Sequence, residues 1–297
     1  MPYEGKSKYR ILLLFPLLFF LLLLSIGSSF FFPDISALKK ENIKKTSFME
    51  YREDEWRSKG KRIRIRQTWT PLSRISPYLV KAVLIAEDDK FWKHEGFDFE
   101  AIQKAVEKDI REKKFKFGAS TITQQLAKNL YLTPSKNPLR KIKEAILTWR
   151  LERKLSKKRI LELYLNVAEW GEGIFGIDAA ARHYYGKPAS ALGPEESARL
   201  ASVLPNPRKF NPLGNTRYVE NRSRIIYSIM VKRGIVIPSY EEVMKDPGTE
   251  AATAEEREAE RERRSEGIPP GFPGEALQES PRNHEEFPLP PPAGASF

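Results

Sequence analysis

The 297-residue chain contains no cysteine and only three histidines. Without cysteine, disulfide bonds and thiolate metal sites are excluded. The histidines are His94, His183 and His284, and their wide separation argues against a histidine-rich zinc site. No stretch resembles a module that reads nucleic-acid bases, so nucleic acid is not expected as a partner. No organic cofactor is expected either.

Acidic residues are outnumbered by basic ones. The sequence has 51 lysines and arginines against 39 aspartates and glutamates, which gives a formal charge of +12. A cationic surplus suits anionic partners such as lipid headgroups or a phosphorylated substrate. The length allows one large domain or two small ones.

One long apolar run lies at the N-terminus, from Ile11 to Phe32, after the basic residues Lys6, Lys8 and Arg10. About 20 apolar residues span a bilayer as a helix, and the leading positive charge favours a cytoplasmic N-terminus. The alternative is a signal peptide cleaved near 25–27. Because the apolar run continues beyond that point, we expect an uncleaved single-pass anchor with the rest of the chain outside the cytoplasm.

The chain therefore divides into five expected parts: a cytoplasmic end at 1–10, the transmembrane anchor at 11–32, a charged juxtamembrane segment at 33–68, a folded domain at 69–235 and a tail at 236–297. In the juxtamembrane segment, the alternation from Lys61 to Arg66 predicts a short strand with a basic face. The tail is rich in Glu, Arg, Pro and Gly, and it has too few large apolar residues to fold alone, so we expect disorder. Its proline run could alternatively dock in an aromatic groove.

Apolar residues between 69 and 235 recur at helical spacing, which predicts a mostly α-helical domain. Polar residues stand where several helices should begin and are predicted to cap them: Ser76, Asp98, Asn137 and Ser156. The expected helices cover about 77–86, 99–111, 156–166, 176–185, 194–204 and 216–233, and two more are expected to begin at about 121 and 138. Glycines at 171, 173 and 176 predict a mobile turn.

Three consecutive acids, a histidine and a fourth acid lie between the first two of these helices, in the segment Glu87-Asp88-Asp89-Lys90-Phe91-Trp92-Lys93-His94-Glu95-Gly96. The partial negative charge of a helix C-terminus, with Asp88 adjacent, favours a protonated Glu87 or a stronger base. Packing at such a junction between two helices can hold a reactive carboxylate so that it faces a cleft. The alternative is a solvated helix end.

Hydroxyl and amide side chains are dense between Gly118 and Asn129. Thr121 and Gln124 fit a capping box, and exposed amides at a helix start can receive phosphate or sugar oxygens. An ordinary capped amphipathic helix is the alternative. Further on, Arg140 and Glu144 share one helix face, either as a surface pair or as part of a cleft. Basic residues from Lys104 to Lys116 form a solvated face or contact lipid headgroups.

Taken together, these stretches resemble the peptidoglycan glycosyltransferases (glycosyltransferase family 51), and within them the monofunctional biosynthetic transglycosylases. The resemblance covers about 69–212. Five motifs carry it in order: Glu87 and Asp88 with Phe91, His94 and Gly96; 118–125 (GASTITQQ) with Lys128 and Asn129; Arg140, Lys141 and Glu144 followed by Glu152, Lys157 and 160–166; 171–185; and Glu196, Ala198, Leu200 and Pro205.

The resemblance implies a mostly α, lysozyme-like glycosyltransferase domain with a small membrane-facing jaw. It also implies the reaction, which polymerises lipid II into β-1,4 glycan strands and releases undecaprenyl diphosphate. The location implied is the bacterial cytoplasmic (inner) membrane, with the catalytic domain on the periplasmic side. The partners implied are lipid II, the growing strand, the membrane and other wall-synthesis proteins.

The resemblance also suggests residue roles. Glu87 is expected to be the base and Glu144 the second catalytic acid, beside the donor diphosphate. Substrate binding is expected from Ser120, Thr121, Gln125, Lys128, Asn129 and Arg140. Residues expected to support the site are Asp88, Phe91, His94, Gly96 and Gly118. An acid beside a diphosphate suits either a divalent cation such as Mg²⁺ held by Glu144 or an orienting role for Glu144.

Transpeptidase motifs in the required order are missing, which predicts a monofunctional protein. The Ser-x-x-Lys at Ser36–Lys39 abuts the anchor, and too few residues follow Pro212 for a second enzymatic domain. Two other functions stay open from the sequence: a lytic enzyme that cleaves glycan on a similar fold, and a non-catalytic membrane scaffold. The intact Glu87 and Glu144 argue against the scaffold.

Overall fold

A computed structural model describes residues 33–112, 120–134 and 137–236, together with isolated residues between 20 and 28. Across the part described, no helix combines the length and apolarity needed to cross a bilayer. The anchor expected at 11–32 lies almost wholly outside the described residues. So do the tail beyond 236, Gly118 and much of the expected jaw between Lys104 and Gly118.

The described residues are mostly helical, as the sequence predicts. In chain order the helices are α1 (Ser47–Ser58), α2 (Pro77–Glu87), α3 (Phe99–Glu112), α4 (Ile122–Tyr131), α5 (Pro138–Lys154), α6 (Lys157–Val167), α7 (Ile177–Tyr185), α8 (Pro194–Val203) and α9 (Arg217–Lys232). The strands are β1 (Arg66–Gln67), β2 (Glu169–Gly171) and β3 (Ile174–Phe175).

Helix α2 is apolar because it packs on two neighbours at once. Leu79, Ala82 and Val83 are fully buried, and the helix lies against α8 and α9. Helix α4 is the second central element and lies against α1, α5 and α6. The site therefore forms where the C-terminus of α2 meets α4, with α6 and α9 behind them.

The small sheet has the order β1-β3-β2. β1 runs parallel to β3, with Arg66 opposite Ile174, and β2 runs antiparallel to β3. The turn predicted from the glycines is thus a buried hairpin, in which Trp170 and Phe175 have no exposed surface.

The strand predicted from Lys61 to Arg66 was wrong for most of its length. Only Arg66–Gln67 is a strand, because β3 offers a partner of two residues. The alternation itself is present, since Ile63 and Ile65 pack against the core. The segment expected to be juxtamembrane also joins that core, since Ile35, Met49 and Trp56 are buried in it.

Three predicted helix caps are confirmed, and one is wrong. Asp98, Asn137 and Ser156 each accept a backbone N–H of the following helix. Ser76 makes no capping bond; its hydroxyl instead donates to the carbonyl oxygen of Leu192 at 2.7 Å. The hydroxyl therefore ties the start of α2 to the segment before α8.

The loop from α2 to α3 is held close to α5 by Gly96. Its backbone has φ of +91°, and an added Cβ would lie 2.8 Å from Cγ2 of Thr148 and 3.0 Å from Cγ of Glu152. Neither neighbour can move easily, because Thr148 is fully buried and the carboxylate of Glu152 holds Thr123 and Lys157. Gly96 thereby allows the loop after Glu87 to approach α5.

We expect Gly96→Ala to lower the free energy of unfolding by about 3 kcal/mol, since a left-handed backbone and an overpacked contact both contribute. Gly60→Ala is the matched control, because Gly60 has φ of +68° and open space around its Cβ position. It should cost only about 1 kcal/mol. Urea unfolding of both variants measures the difference, and equal losses would contradict the proposed close contact.

Candidate active site

Glu87 is the last residue of α2, and its side chain is only 10 % exposed. Nε2 of Gln125, on α4, donates to Oε2 of Glu87 at 2.8 Å. The hydroxyl of Tyr164, on α6, donates in turn to Oε1 of Gln125 at 3.0 Å. The buried tyrosine thus fixes the amide so that its N–H group faces the carboxylate.

A cation from α9 lies on the other side of Glu87. Nη2 of Arg222 donates to the carbonyl oxygen of Ala86 at 3.0 Å and lies 3.5 Å from Oε1 of Glu87. Arg222 therefore supplies a hydrogen bond to a backbone carbonyl at the C-terminus of α2 and also faces the carboxylate of Glu87. No local pattern in the sequence indicates this role, because Arg222 lies 135 residues from Glu87 and outside all five motifs.

The surroundings of Glu87 act on its pKa in opposite directions. Burial raises the pKa, and this is the largest cause. The hydrogen bond from Gln125 and the charges of Arg222 and Lys128 lower it. Burial also raises the pKa of Tyr164 well above its usual value, so this side chain stays a hydroxyl donor. The result is a carboxyl group of raised pKa that neighbouring donors hold in position.

Asp88 and His94 organise the loop next to Glu87. One carboxylate oxygen of Asp88 pairs with Nε2 of His94 at 2.8 Å, and the other accepts the backbone N–H of Ile122 at 2.9 Å. Because Nδ1 of His94 accepts the N–H of Gly96 at 3.1 Å, its Nε2 carries the proton. Asp88 therefore joins the loop to the first turn of α4, which is the supporting kind of contact expected of this pair.

Phe91 and Thr121 are buried in the same region. Nζ of Lys157 lies 4.5 Å from the centre of the Phe91 ring. The hydroxyl of Thr121 donates to the carbonyl oxygen of Gly96 at 2.6 Å and accepts from the N–H of Gln124 in the predicted capping box. Its hydroxyl is therefore engaged by the protein, and a substrate contact of Thr121 stays a prediction.

Glu144 is the centre of a compact cationic group on α5. Its side chain is 4 % exposed, and it accepts from Nη1 of Arg140 at 2.7 Å and from Nζ of Lys141. Lys128, from α4, lies close enough that Glu144 and Glu87 raise its pKa while Arg140 and Lys141 lower it; burial is the largest cause and lowers it overall. Three cations thus surround one carboxylate.

The predicted substrate-binding residues are distributed over three cavities. Glu87, Ser120 and Thr121 line one of about 270 Å³. Gln125, Lys128 and Asn129 line a second of about 310 Å³. Arg140 lines a third of about 520 Å³. The residues expected to bind substrate therefore do not line one common cavity, and the hydrogen-bonded pair of Glu87 and Gln125 lies between the first two cavities.

The second cavity contains residues that the sequence did not single out. Arg52, on α1, donates to Glu169 at 2.7 Å and to Glu55 at 2.8 Å, and Arg208 also donates to Glu55 at 2.8 Å. These partners come from α1, β2 and the chain after α8, so only folding brings them together. Both arginines line the same cavity as Lys128, and each is paired with a carboxylate.

The carboxylate of Glu144 is poorly placed to coordinate a divalent cation. Both carboxylate oxygens are already engaged by cations, and the described part of the chain contains no cluster of three acidic or histidine ligands. Mg²⁺ is usually held by one or two carboxylates together with substrate phosphates. The geometry supports the orienting role of Glu144, and metal dependence stays a prediction.

Comparison with known proteins identifies the family. The Transglycosylase family profile matches residues 57–231. A protein of Nitrosospira multiformis named biosynthetic peptidoglycan transglycosylase is 44 % identical over 218 residues, which cover 73 % of this chain and 95 % of that protein. Proteins of the same name from Azoarcus sp. and Dechloromonas aromatica are 50 % and 51 % identical, covering 68 % and 62 % of this chain and 88 % and 80 % of their own lengths.

The matched region includes the described elements from α2 to α8 and all but the last residue of α9, and with them Glu87, Gln125, Glu144 and Arg222. On this basis, the chain belongs to the transglycosylase family.

Proposed function

We propose that this transglycosylase polymerises lipid II into β-1,4 glycan strands and releases undecaprenyl diphosphate. The observation that carries the proposal is the buried carboxylate of Glu87, which faces one cavity while its partner Gln125 faces another. A reaction that joins two large substrates needs a base at the point where they meet. Glu87 occupies such a point.

The proposed chemistry is a single inverting displacement, because the donor is α-linked and the product is β-linked. The carboxylate of Glu87 takes the proton from the 4-hydroxyl of the acceptor sugar. The acceptor oxygen then forms a bond to the donor C1, and the bond from C1 to the diphosphate oxygen breaks. The electron pair leaves with the diphosphate, and the proton remains on Glu87.

The leaving diphosphate needs positive charge as its bond breaks. Lys128, Arg140 and Lys141 supply it, and Glu144 orients the last two by direct contact. Charges held in place before the reaction need no reorganisation during it, which makes them effective in catalysis. We therefore assign the donor to the side of Lys128 and the acceptor to the cavity of Ser120.

The proposed setting is the periplasmic side of the inner membrane, with residues 11–32 as anchor and other wall-synthesis proteins as partners. Helix α3 supports a membrane contact, because Phe99, Val106 and Ile110 are 75 %, 40 % and 68 % exposed. Basic residues on the same helix, such as Lys104, are also exposed. Exposed apolar and basic side chains together suit a lipid interface. This helix is the described part of the proposed jaw.

Glu87→Gln should reduce polymerisation of labelled lipid II by at least about 100-fold, because the amide cannot accept the proton. Product separation by size, with purified protein in detergent, measures the effect. Glu95→Gln is the matched control, since Glu95 is an exposed carboxylate on the same loop, and it should retain activity. Polymer from Glu87→Gln at the wild-type rate would refute the role of Glu87 as base.

Arg222→Met should move the acid limb of the kcat/KM profile to higher pH. Removing the cation raises the pKa of Glu87 further, so a smaller fraction is ionised at a given pH. We expect a loss of about tenfold near the foot of that limb and much less on the alkaline side. Because burial already raises this pKa, the wild-type limb should itself lie above the range of an ordinary glutamate.

Two variants separate positioning by Arg222 from general damage to α9. Arg222→Lys keeps a positive charge, so the acid limb of its kcat/KM profile should lie close to that of the wild type. Arg224→Met removes an exposed charge two residues away and should leave the pH of the acid limb unchanged. A uniform loss at every pH in Arg222→Met would show a structural role only.

A further inference from the structure

A groove of about 750 Å³ lies apart from Glu87, between the chain before β1 and the loop after α8. Its walls are formed by residues 62–66 and 207–211, with Glu172, His183 and Tyr184 at its side. We call it the basic groove, because five of its lining residues carry positive charge: Arg62, Arg64, Arg66, Arg208 and Lys209. The acid among the residues that line it is Glu172.

The arginines face outward because of the alternation in this segment. Ile63 and Ile65 pack against the core, while Arg62, Arg64 and Arg66 are exposed. In an extended chain, alternate residues lie about 7 Å apart on one side. Within the described ranges, none of these three arginines has an ion-pair partner. Glu172, the acid among the described residues of the groove, lies 3.5 Å from Lys61 and 4.0 Å from Arg208.

The basic groove adjoins the cavity that contains Gln125 and Lys128. Pro207 and Arg208 line both the groove and the cavity that contains Gln125 and Lys128. Arg208 is fixed at this junction by its bond to Glu55. The groove therefore lies beside the cavity to which we assign the donor.

We propose that the basic groove binds the peptide carboxylates of the growing glycan strand. The inference rests on the proposed function, since polymerised lipid II carries a short peptide with free carboxylates on each disaccharide and is therefore a polyanion. Arginine pairs with carboxylates through two parallel hydrogen bonds. Three arginines at regular spacing suit an extended ligand with repeated acidic groups.

Binding here has a defined consequence for the product. Exposed ion pairs are individually weak and are screened by salt. Several such pairs together keep a strand near the enzyme between additions, because rebinding is intramolecular. The groove should therefore set the length of the glycan strand and leave the formation of each bond unchanged.

The test uses a triple variant, Arg62→Gln, Arg64→Gln and Arg66→Gln, in the full-length protein. The matched control is Arg217→Gln, Arg224→Gln and Lys232→Gln, which removes the same charge from exposed positions on α9. Thermal unfolding compares the folding of both with wild type. If the triple variant unfolds early, the single variants Arg62→Gln and Arg64→Gln replace it.

We expect the groove variant to make strands at least about threefold shorter, with an early rate of bond formation within about twofold of wild type. Its affinity for purified strands should fall about tenfold, since each exposed pair contributes a fraction of a kcal/mol. Amidation of the strand carboxylates should weaken binding to wild type by a similar factor. The control variant should behave as wild type in all three measurements.

Unchanged strand length, or equal binding of free and amidated strands, would overturn the proposal. Loss of binding to vesicles of anionic lipid, with strand binding intact, would assign the groove to the membrane instead. If the wild type makes no polymer, the proposed function fails. The binding of free and amidated strands then decides by itself whether the groove binds strand carboxylates. The two failures are therefore distinguishable.

Discussion

The constraint on which the site depends is that Glu87 must be buried and still be able to ionise. Burial removes water from the carboxylate and raises its pKa, so ionisation requires donors and positive charge from the protein. Gln125 supplies an N–H group, and Arg222 and Lys128 supply charge. Helices α2, α4 and α9 must therefore meet at this point, and the packing of the domain follows from that requirement.

Asp88 makes this meeting point rigid. Its two oxygens bind His94 and the first amide of α4, so the loop after Glu87 cannot move independently of the helix that carries Gln125. Gly96 adds a close contact with α5. A carboxylate that is held on several sides keeps its position between the two cavities, as the proposed role of Glu87 requires. Such preorganisation is worth more than any single contact because it costs nothing during the reaction.

Local features of the fold could be predicted from the sequence, and long-range ones could not. Asp98 and the pair of Thr121 and Gln124 act on amides three residues away, so their capping follows from spacing alone. Ser76 has the same local pattern, yet the carbonyl oxygen of Leu192 takes its hydroxyl. The neighbours of Glu87 come from α4, α6 and α9, and no periodicity in the sequence indicates that Arg222 faces it. Motif resemblance indicated Glu87 itself but not what controls its charge.

The positive charge of the protein is divided between two physically different settings. Around Glu144, Arg140 and Lys128 are partly buried, whereas Lys141 is exposed, so the proposed interaction of the first two with a diphosphate is less screened and more fixed in direction. Along 62–66 the arginines are exposed, so each interaction is weak and exchangeable. In the proposed mechanism, strong binding suits the point where negative charge develops, and weak repeated binding suits a growing strand that advances after each addition. Arg208, at the junction of the two cavities, connects these settings.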